Sequence, residues 1–173
     1  CIVSIVPRRR AGKKNLDEIN YIELIEPFDV FMKLAITRTL LRLSRGELIF
    51  YHLSWLTKAY ASQNIIESIL SIIKKYLGGV DIIIAETIYP GLLAEKLAEK
   101  TGVKHVIRIH NIEAQYISSL IELLKRKAIE TISSLEINIL SKAHKVYAMS
   151  YKDSLIVRRL YKINAIYLSL IHI

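Results

Sequence analysis

The stretch VDIIIAETIYPGLLAEKLAEKTGVKHVIRIHN, residues 80–111, decides the fold class of this chain. It opens with VDIIIA at 80–85, whose apolar run at 82–85 predicts a strand that is buried on both faces. Pro90 favours the start of a helix that ends near Lys100, and residues 103–109 form the next predicted strand. A strand, a helix and a second strand in this order predict a right-handed crossover between parallel strands.

The same alternation continues on both sides of this stretch. Strands are predicted at 1–6, 19–25, 145–149 and 165–167, and helices at 27–43, 54–76, 112–140 and 151–161. Residues 7–15 are expected to form a basic loop. The 173 residues suit one domain. The pattern therefore predicts an α/β fold with a Rossmann-like open, mostly parallel sheet and helices on both faces.

Polar side chains follow three of the predicted strands at the point where each strand ends. They are Glu86, Thr87, Tyr89, His110, Asn111, Glu113 and Ser150. Parallel strands end at one edge of their sheet, and open α/β sheets bind ligands in the crevice beyond that edge. We therefore expect these side chains to gather in one site.

His110 is the most informative of these residues. A histidine at a strand end can present either ring nitrogen to a ligand hydroxyl near neutral pH. Glu113 lies in the first turn of the next helix, where the helix dipole favours it by about 0.3–1 kcal/mol, and it can orient His110 or Asn111. The alternative is structural: His110 satisfies backbone groups and Glu113 caps the helix. Ser150 likewise either faces the cleft or caps a helix.

Several kinds of site have no motif in the sequence. There is no Walker phosphate loop, no G-x-G-x-x-G after a strand and no G-x-S-x-G nucleophile elbow. His105 and His110 are expected on opposite faces of the sheet, and His144 precedes a strand. Cys1 is the single cysteine, so neither a metal site nor an intramolecular disulfide is predicted.

The formal net charge of +9 favours anionic partners, such as phosphates, acidic lipid surfaces or nucleic acid. The alternative is that the charge serves solubility. A basic amphipathic stretch begins at Pro27 and ends at Arg45; it either rests on an acidic membrane surface or packs on the sheet as an ordinary helix. The tyrosines are scattered without a stacking array, so binding of nucleic acid is not expected.

Two passages resemble a known enzyme family. They are VDIIIAETIYPGLLAEKLAEKTGVKHVIRIHNIEAQY at 80–116 and LSKAHKVYAMSYKDSLIVRRLY at 140–161. Both resemble the N-terminal domain of family-4-like retaining glycosyltransferases of the GT-B fold, and IRIHNIEAQY carries most of the likeness. Together with the order of strands and helices, the resemblance covers about residues 1–167.

The resemblance implies transfer of a sugar from a nucleotide-sugar donor to an acceptor hydroxyl, with retention of configuration and without a metal or other cofactor. The N-terminal domain of the family binds the glycan or lipid-linked acceptor, and a C-terminal domain binds most of the donor. By this analogy His110 lies near the donor sugar and the reacting centre. Asn111 and Glu113 shape the site, and the acceptor side is lined by Glu86, Thr87 and Tyr89.

The chain departs from the family at both ends. The family's first strand and its glycine-rich loop have no counterpart before Cys1, and the donor domain is missing beyond Ile173. Residues 1–167 are therefore expected to be a truncated glycosyltransferase domain that is inactive by itself. Residues 168–173 resemble a translated sequencing adapter and are expected to be a non-native tail. The alternative is a genuine terminal strand.

Two other functions remain open. Another two-domain sugar-nucleotide enzyme, such as an epimerase, shares this architecture, because a fold does not determine the chemistry that it supports. A basic α/β module that binds nucleic acid or an anionic membrane surface is the non-enzymatic alternative. The lone cysteine and the lack of an apolar run approaching roughly 18 residues favour a cytoplasmic protein, peripheral to the inner face of the membrane at most.

Overall fold

The computed structural model describes residues 2–6, 12–16, 19–25, 60, 62–120 and 126–168. Within these ranges the chain forms seven strands and five helices. In chain order they are β1 Ile2–Val6, β2 Gly12–Leu16, β3 Ile19–Ile25, α1 Gln63–Leu77, β4 Ile82–Glu86, α2 Ile88–Thr101, β5 Lys104–Ile109, α3 Glu113–Leu120, α4 Arg126–Lys142, β6 Lys145–Ala148, α5 Tyr151–Arg159 and β7 Ala165–Tyr167.

The described strands form two sheets. β4, β5, β6 and β7 lie side by side in that order, and all three pairs of neighbours are parallel. In the smaller sheet β3 lies between β1, to which it is parallel, and β2, to which it is antiparallel. β1 also contacts β4. The predicted α/β fold with a Rossmann-like, mostly parallel open sheet is confirmed.

One face of the four-stranded sheet carries the hydrophobic core. The register pairs Ala85 with Ile107 and Ile107 with Val146, so these three buried side chains share a face. Buried residues of α2, α3, α4 and α5 join them in one cluster. A second cluster packs α1 against α2 through Ile66, Ile69, Ile73, Leu93 and Leu97.

The sequence suggested that the apolar run of β4 is buried on both faces. In the structure only one of its faces is buried. Ala85 faces the core, whereas Ile82 and Ile84 are 44% and 46% exposed. Because side chains alternate along a strand, these two isoleucines lie on the face opposite to Ala85. An unbroken apolar sequence indicates a strand, but it does not identify which of its faces another element covers.

Several element boundaries differ from the sequence analysis. β2 occupies residues 12–16, although 12–15 were expected in a loop, because pairing with β3 rather than apolar alternation makes this segment a strand. α2 begins at Ile88, and Pro90 lies in its first turn, where a missing N–H group costs no hydrogen bond. The single helix predicted at 112–140 is two helices, α3 and α4. The helix predicted at 27–43 lies outside the described residues.

Two further features lie at the ends of elements. Gly78 ends α1 with a φ of 67°, in the left-handed conformation that glycine adopts without steric cost. The strand predicted at 165–167 is β7, and the Leu168 N–H group extends its pairing by donating to Ala148 O at 2.9 Å. Residues 169–173 lie outside the described part of the chain.

Gly91 lets α2 approach the sheet closely. A Cβ atom at this position would lie 2.8 Å from Ile139 Cγ2 of α4 and 2.9 Å from Ile107 Cδ1 of β5. Contacts this short require a neighbour to move. The missing side chain therefore determines how closely α2 packs between β5 and α4.

We predict that Gly91→Ala lowers the free energy of unfolding by about 1 kcal/mol. Overpacking costs about 1–3 kcal/mol, which exceeds the roughly 1 kcal/mol that alanine gains over glycine in a helix. Urea unfolding followed by circular dichroism measures the change. Gly79→Ala is the control, because a Cβ atom there meets nothing within 4 Å. A Gly91→Ala protein as stable as the wild type would contradict the packing argument.

Candidate ligand-binding site

The four parallel strands end together at one edge of the sheet, here called the carboxyl edge. Glu86 is the last residue of β4, and His110 directly follows β5. The pairing of β5 with β6 continues to this edge, where the Met149 N–H group donates to Ile109 O at 3.0 Å. Ser150 follows immediately. The structure therefore brings the ends of β4, β5 and β6 to a common edge, as their predicted parallel direction required.

A carboxylate, a guanidinium and an imidazole form a connected network at this edge, here called the Glu86 network (Glu86, Arg108 and His110). The register pairs Glu86 with Arg108. Arg108 Nε donates to Glu86 Oε2 at 2.8 Å, and its Nη2 lies 2.6 Å from Oε1. His110 Nε2 lies 2.8 Å from the same Oε2 atom. One carboxylate therefore holds both a guanidinium and an imidazole.

The Glu86 network orients side chains more than it stabilises the fold. The exposed fractions of the Arg108, Glu86 and His110 side chains are 35%, 42% and 48%. Ion pairs this exposed contribute about 0–1 kcal/mol to stability. The guanidinium binds both carboxylate oxygens and so fixes the plane of Glu86. Nδ1 of His110 has no hydrogen bond to any described residue, so it can face a ligand.

Three further predicted site residues contact one another beside this network and form the Glu113 group (Tyr89, Asn111 and Glu113). The Tyr89 hydroxyl, on a residue of α2 that is otherwise buried, donates to Glu113 Oε1 at 3.0 Å. Asn111 Nδ2 lies 3.4 Å from Glu113 Oε2. Glu113 is the first residue of α3. Because His110 and Asn111 are consecutive, the two groups are neighbours.

Thr87 makes the turn from β4 into α2. Its φ of 76° is a conformation that favours glycine, and a β-branched residue held there costs about 1–3 kcal/mol. The Thr87 N–H group donates to Arg108 O at 2.8 Å, which anchors the turn to β5. The turn places Glu86 and Tyr89, only three residues apart, in different groups at the edge.

Ser150 is the N-cap of α5. Its Oγ accepts a hydrogen bond from the Asp153 N–H group at 3.0 Å and so satisfies a donor in the first helical turn. Among the residues that the structure describes, neither Glu86 nor His110 forms a hydrogen bond with Ser150. Of the two interpretations of Ser150, the structure shows the helix cap.

A buried carboxylate that the sequence analysis did not single out lies beneath Glu113. Glu136 of α4 is 1% exposed. Its Oε1 accepts from the Glu113 N–H group at 2.6 Å, and its Oε2 accepts from the Ala114 N–H group at 3.1 Å and from the Tyr161 hydroxyl at 2.8 Å. Glu136 therefore caps the N-terminus of α3 from another helix.

The sequence contains a signal for this residue. Glu136 lies four residues after Ile132 and four before Leu140, on the stripe of α4 that faces the core. A carboxylate on an apolar stripe requires a buried partner. Burial raises the pKa of Glu136 to about 7, against the lowering effect of its three hydrogen-bond donors. The nearby Glu113 carboxylate also raises this pKa.

The histidines at the two ends of β5 occupy different environments. His105 is buried on the core face, and burial lowers its pKa. Its Nε2 has no hydrogen-bond partner in the part of the chain that the structure describes. His110 lies on the opposite face, as predicted, and is exposed. Within the described ranges, no three or more His, Cys, Asp or Glu side chains form a group that could hold a metal ion.

We predict that Glu136 makes the free energy of unfolding fall as the pH rises from about 4.5 to 7. In this range the folded protein keeps a proton that the unfolded chain has released, and the effect levels off above pH 7. The raised pKa corresponds to about 3 kcal/mol at most. Glu136→Gln should remove this part of the pH dependence.

Urea unfolding at pH values from 4.5 to 8 measures the effect. Glu136→Gln should become more stable relative to the wild type as the pH rises. Glu130→Gln is the matched control, because it removes an exposed carboxylate from the same helix and should follow the wild type. Parallel stability curves for the wild type and Glu136→Gln would show that Glu136 does not titrate in this range.

Comparison with protein-family models gave no match, and comparison with curated proteins gave none either. The resemblance of residues 80–116 and 140–161 to retaining glycosyltransferases therefore stays a prediction. The basic stretch from Pro27 to Arg45, and with it the predicted membrane contact, lies outside the described residues.

Proposed function

We propose that this chain is the acceptor-binding N-terminal domain of a retaining glycosyltransferase of the GT-B type. The parent enzyme transfers a sugar from a nucleotide sugar to a hydroxyl group of a glycan or lipid-linked acceptor. The observation that carries this proposal is the Glu86 network at the carboxyl edge, which is where parallel α/β sheets bind their ligands. Two of its residues, Arg108 and His110, lie in the segment IRIHNIEAQY.

The chemistry of this edge suits a sugar. Sugar hydroxyl groups both donate and accept hydrogen bonds, so they need donors and acceptors close together. Glu86 supplies acceptor oxygens, Arg108 supplies donors, and His110 and Asn111 can each do both. Because Arg108 already holds the Glu86 carboxylate, a ligand does not need to order this group when it binds.

His110 is the proposed catalytic residue. Glu86 holds its imidazole through Nε2, which leaves Nδ1 for the donor sugar or for charge that develops during transfer. A group that is oriented before the reaction stabilises developing charge without reorganising. Asn111 and Glu113 shape the site in this proposal, and the acceptor side is lined by Glu86, Thr87 and Tyr89.

The proposal requires no metal or other cofactor, and it assigns most of the nucleotide-sugar contacts to a second domain. It includes a cytoplasmic location, with a lipid-linked acceptor reached at the inner face of the membrane. No helix in the described part of the chain has the length and apolar character needed to cross a bilayer. The proposal keeps the membrane contact of the stretch from Pro27 to Arg45 peripheral, through attraction of its basic side chains to acidic lipid.

We expect the chain to bind saccharides and to lose this binding in Glu86→Gln and His110→Ala. Each change removes a hydrogen bond that involves a charged group, worth about 1.5–3 kcal/mol, so affinity should fall about 10- to 100-fold. Saturation-transfer NMR against a panel of oligosaccharides and glycolipid headgroups measures binding. Glu99→Gln is the matched control, because it breaks an exposed glutamate–lysine pair near the other end of α2.

Two results would count against this assignment. The first is a complete lack of saccharide binding, and the second is binding that both site variants retain. Binding of nucleic acid that weakens steeply with added salt would instead support the basic binding module.

In a parent chain that also contains the donor domain, His110→Ala should lower turnover by about 100-fold or more, because it removes a group that acts on developing charge. Initial rates of sugar transfer measure the loss, and NMR of the product reports whether the anomeric configuration is retained. Glu99→Gln should transfer sugar at the wild-type rate. Undiminished turnover of His110→Ala would remove His110 from the mechanism.

A further inference from the structure

The two carboxylate oxygens of Glu136 differ in whether their hydrogen-bond partners can accommodate a proton. Among the described residues, Oε1 accepts only from the Glu113 N–H group, and a backbone amide can only donate. Oε2 accepts from the Ala114 N–H group and from the Tyr161 hydroxyl. A hydroxyl can reverse its direction and accept instead. The network can therefore accommodate a proton on Oε2, which then donates to Tyr161, whereas a proton on Oε1 would face the amide of Glu113.

Tyr161 can keep its hydrogen bond to Glu136 in both protonation states. With Glu136 ionised, the Tyr161 hydroxyl donates to Oε2 at 2.8 Å. With a proton taken from solvent onto Oε2, the bond reverses, so Glu136 donates to the Tyr161 oxygen and the Tyr161 hydroxyl proton turns away from the carboxyl group. The two side chains therefore stay hydrogen-bonded to each other whether or not Glu136 carries a proton.

Protonation changes the cap on α3. The Ala114 N–H group, already at the longer distance of 3.1 Å, then faces a neutral hydroxyl instead of a carboxylate oxygen. The cap weakens, because a hydrogen bond to a charged acceptor is about twice as strong as a neutral one. Protonation also removes the repulsion between Glu136 and the Glu113 carboxylate. Both effects act on the residues that begin α3.

The groups that face Glu136 connect it to the carboxyl edge. Tyr161, after α5, lies on one side and donates to Glu136. Glu113 of α3 lies on the other side, and it accepts in turn from Tyr89 of α2. Because Glu136 is itself buried, it acts on a ligand at the edge through Glu113, its neighbour there.

We propose that Glu136 is a proton-linked positioning residue whose protonation state sets the N-terminus of α3 and thereby the hydrogen bonding of Asn111 and Glu113 at the carboxyl edge. Burial places the pKa of Glu136 at about 7, so the change falls near neutral pH. The effect on the α3 N-terminus is a property of this chain alone. Its consequence for saccharide affinity rests on the proposed function.

Amide spectra of the ¹⁵N-labelled protein between pH 5 and 8.5 test the proposal. The Glu113 and Ala114 amide signals should shift together with one midpoint near pH 7, and Glu136→Gln should abolish this midpoint. Tyr161→Phe should move it upward, because the Tyr161 hydroxyl favours the ionised form of Glu136. Tyr147→Phe is the control and should leave the midpoint unchanged.

The proposal is overturned if the two amides do not titrate near pH 7, or if they titrate identically in Glu136→Gln. If Glu136→Gln does not fold, Tyr161→Phe decides, and a midpoint equal to that of the wild type overturns the proposal.

For a saccharide that binds, the affinities at pH 6 and pH 8 should differ by about fivefold in the wild type and not in Glu136→Gln. Titrating amides without saccharide binding contradict the proposed function alone; saccharide binding without titrating amides contradicts the role of Glu136 alone.

Discussion

The parallel register of β4 and β5 is the constraint on which the rest of this structure depends. It sets Glu86 opposite Arg108, and the alternation of side chains then places His110 on the same face. A slip of β5 by one residue would turn Arg108 toward the core and Ile107 away from it. The backbone pairing that builds the core therefore also assembles the Glu86 network.

The two groups at the carboxyl edge differ in their energetics. The Glu86 network is partly exposed, so its ion pairs add little stability and mainly hold three side chains in fixed orientations. Glu136, beneath the Glu113 group, is buried and is stabilised by hydrogen bonds at a cost in desolvation. The consecutive residues His110 and Asn111 join the two groups. The binding proposed for the edge and the protonation proposed below it therefore both involve residues of the same short loop.

The fold was predictable wherever local sequence controls local structure. β4 to β7 follow from short segments rich in Ile, Val and Tyr that alternate with helical segments, and the end of α1 follows from Gly78. Prediction failed at β2, whose pairing with β3 makes it a strand. It failed again at Ile82 and Ile84, because exposure is decided by neighbouring elements rather than by the strand itself.

By itself, the sequence determined the α/β class, the alternation of strands and helices around the four-stranded sheet and the polar residues that follow its strands, because these depend on apolar periodicity and on turn and cap residues. Only the tertiary structure decided the partners of those residues. Glu86 meets a histidine 24 residues away, and Glu136 meets the N–H group of a residue 23 positions earlier. Contacts between such distant residues arise from strand register and helix packing, which no local pattern encodes.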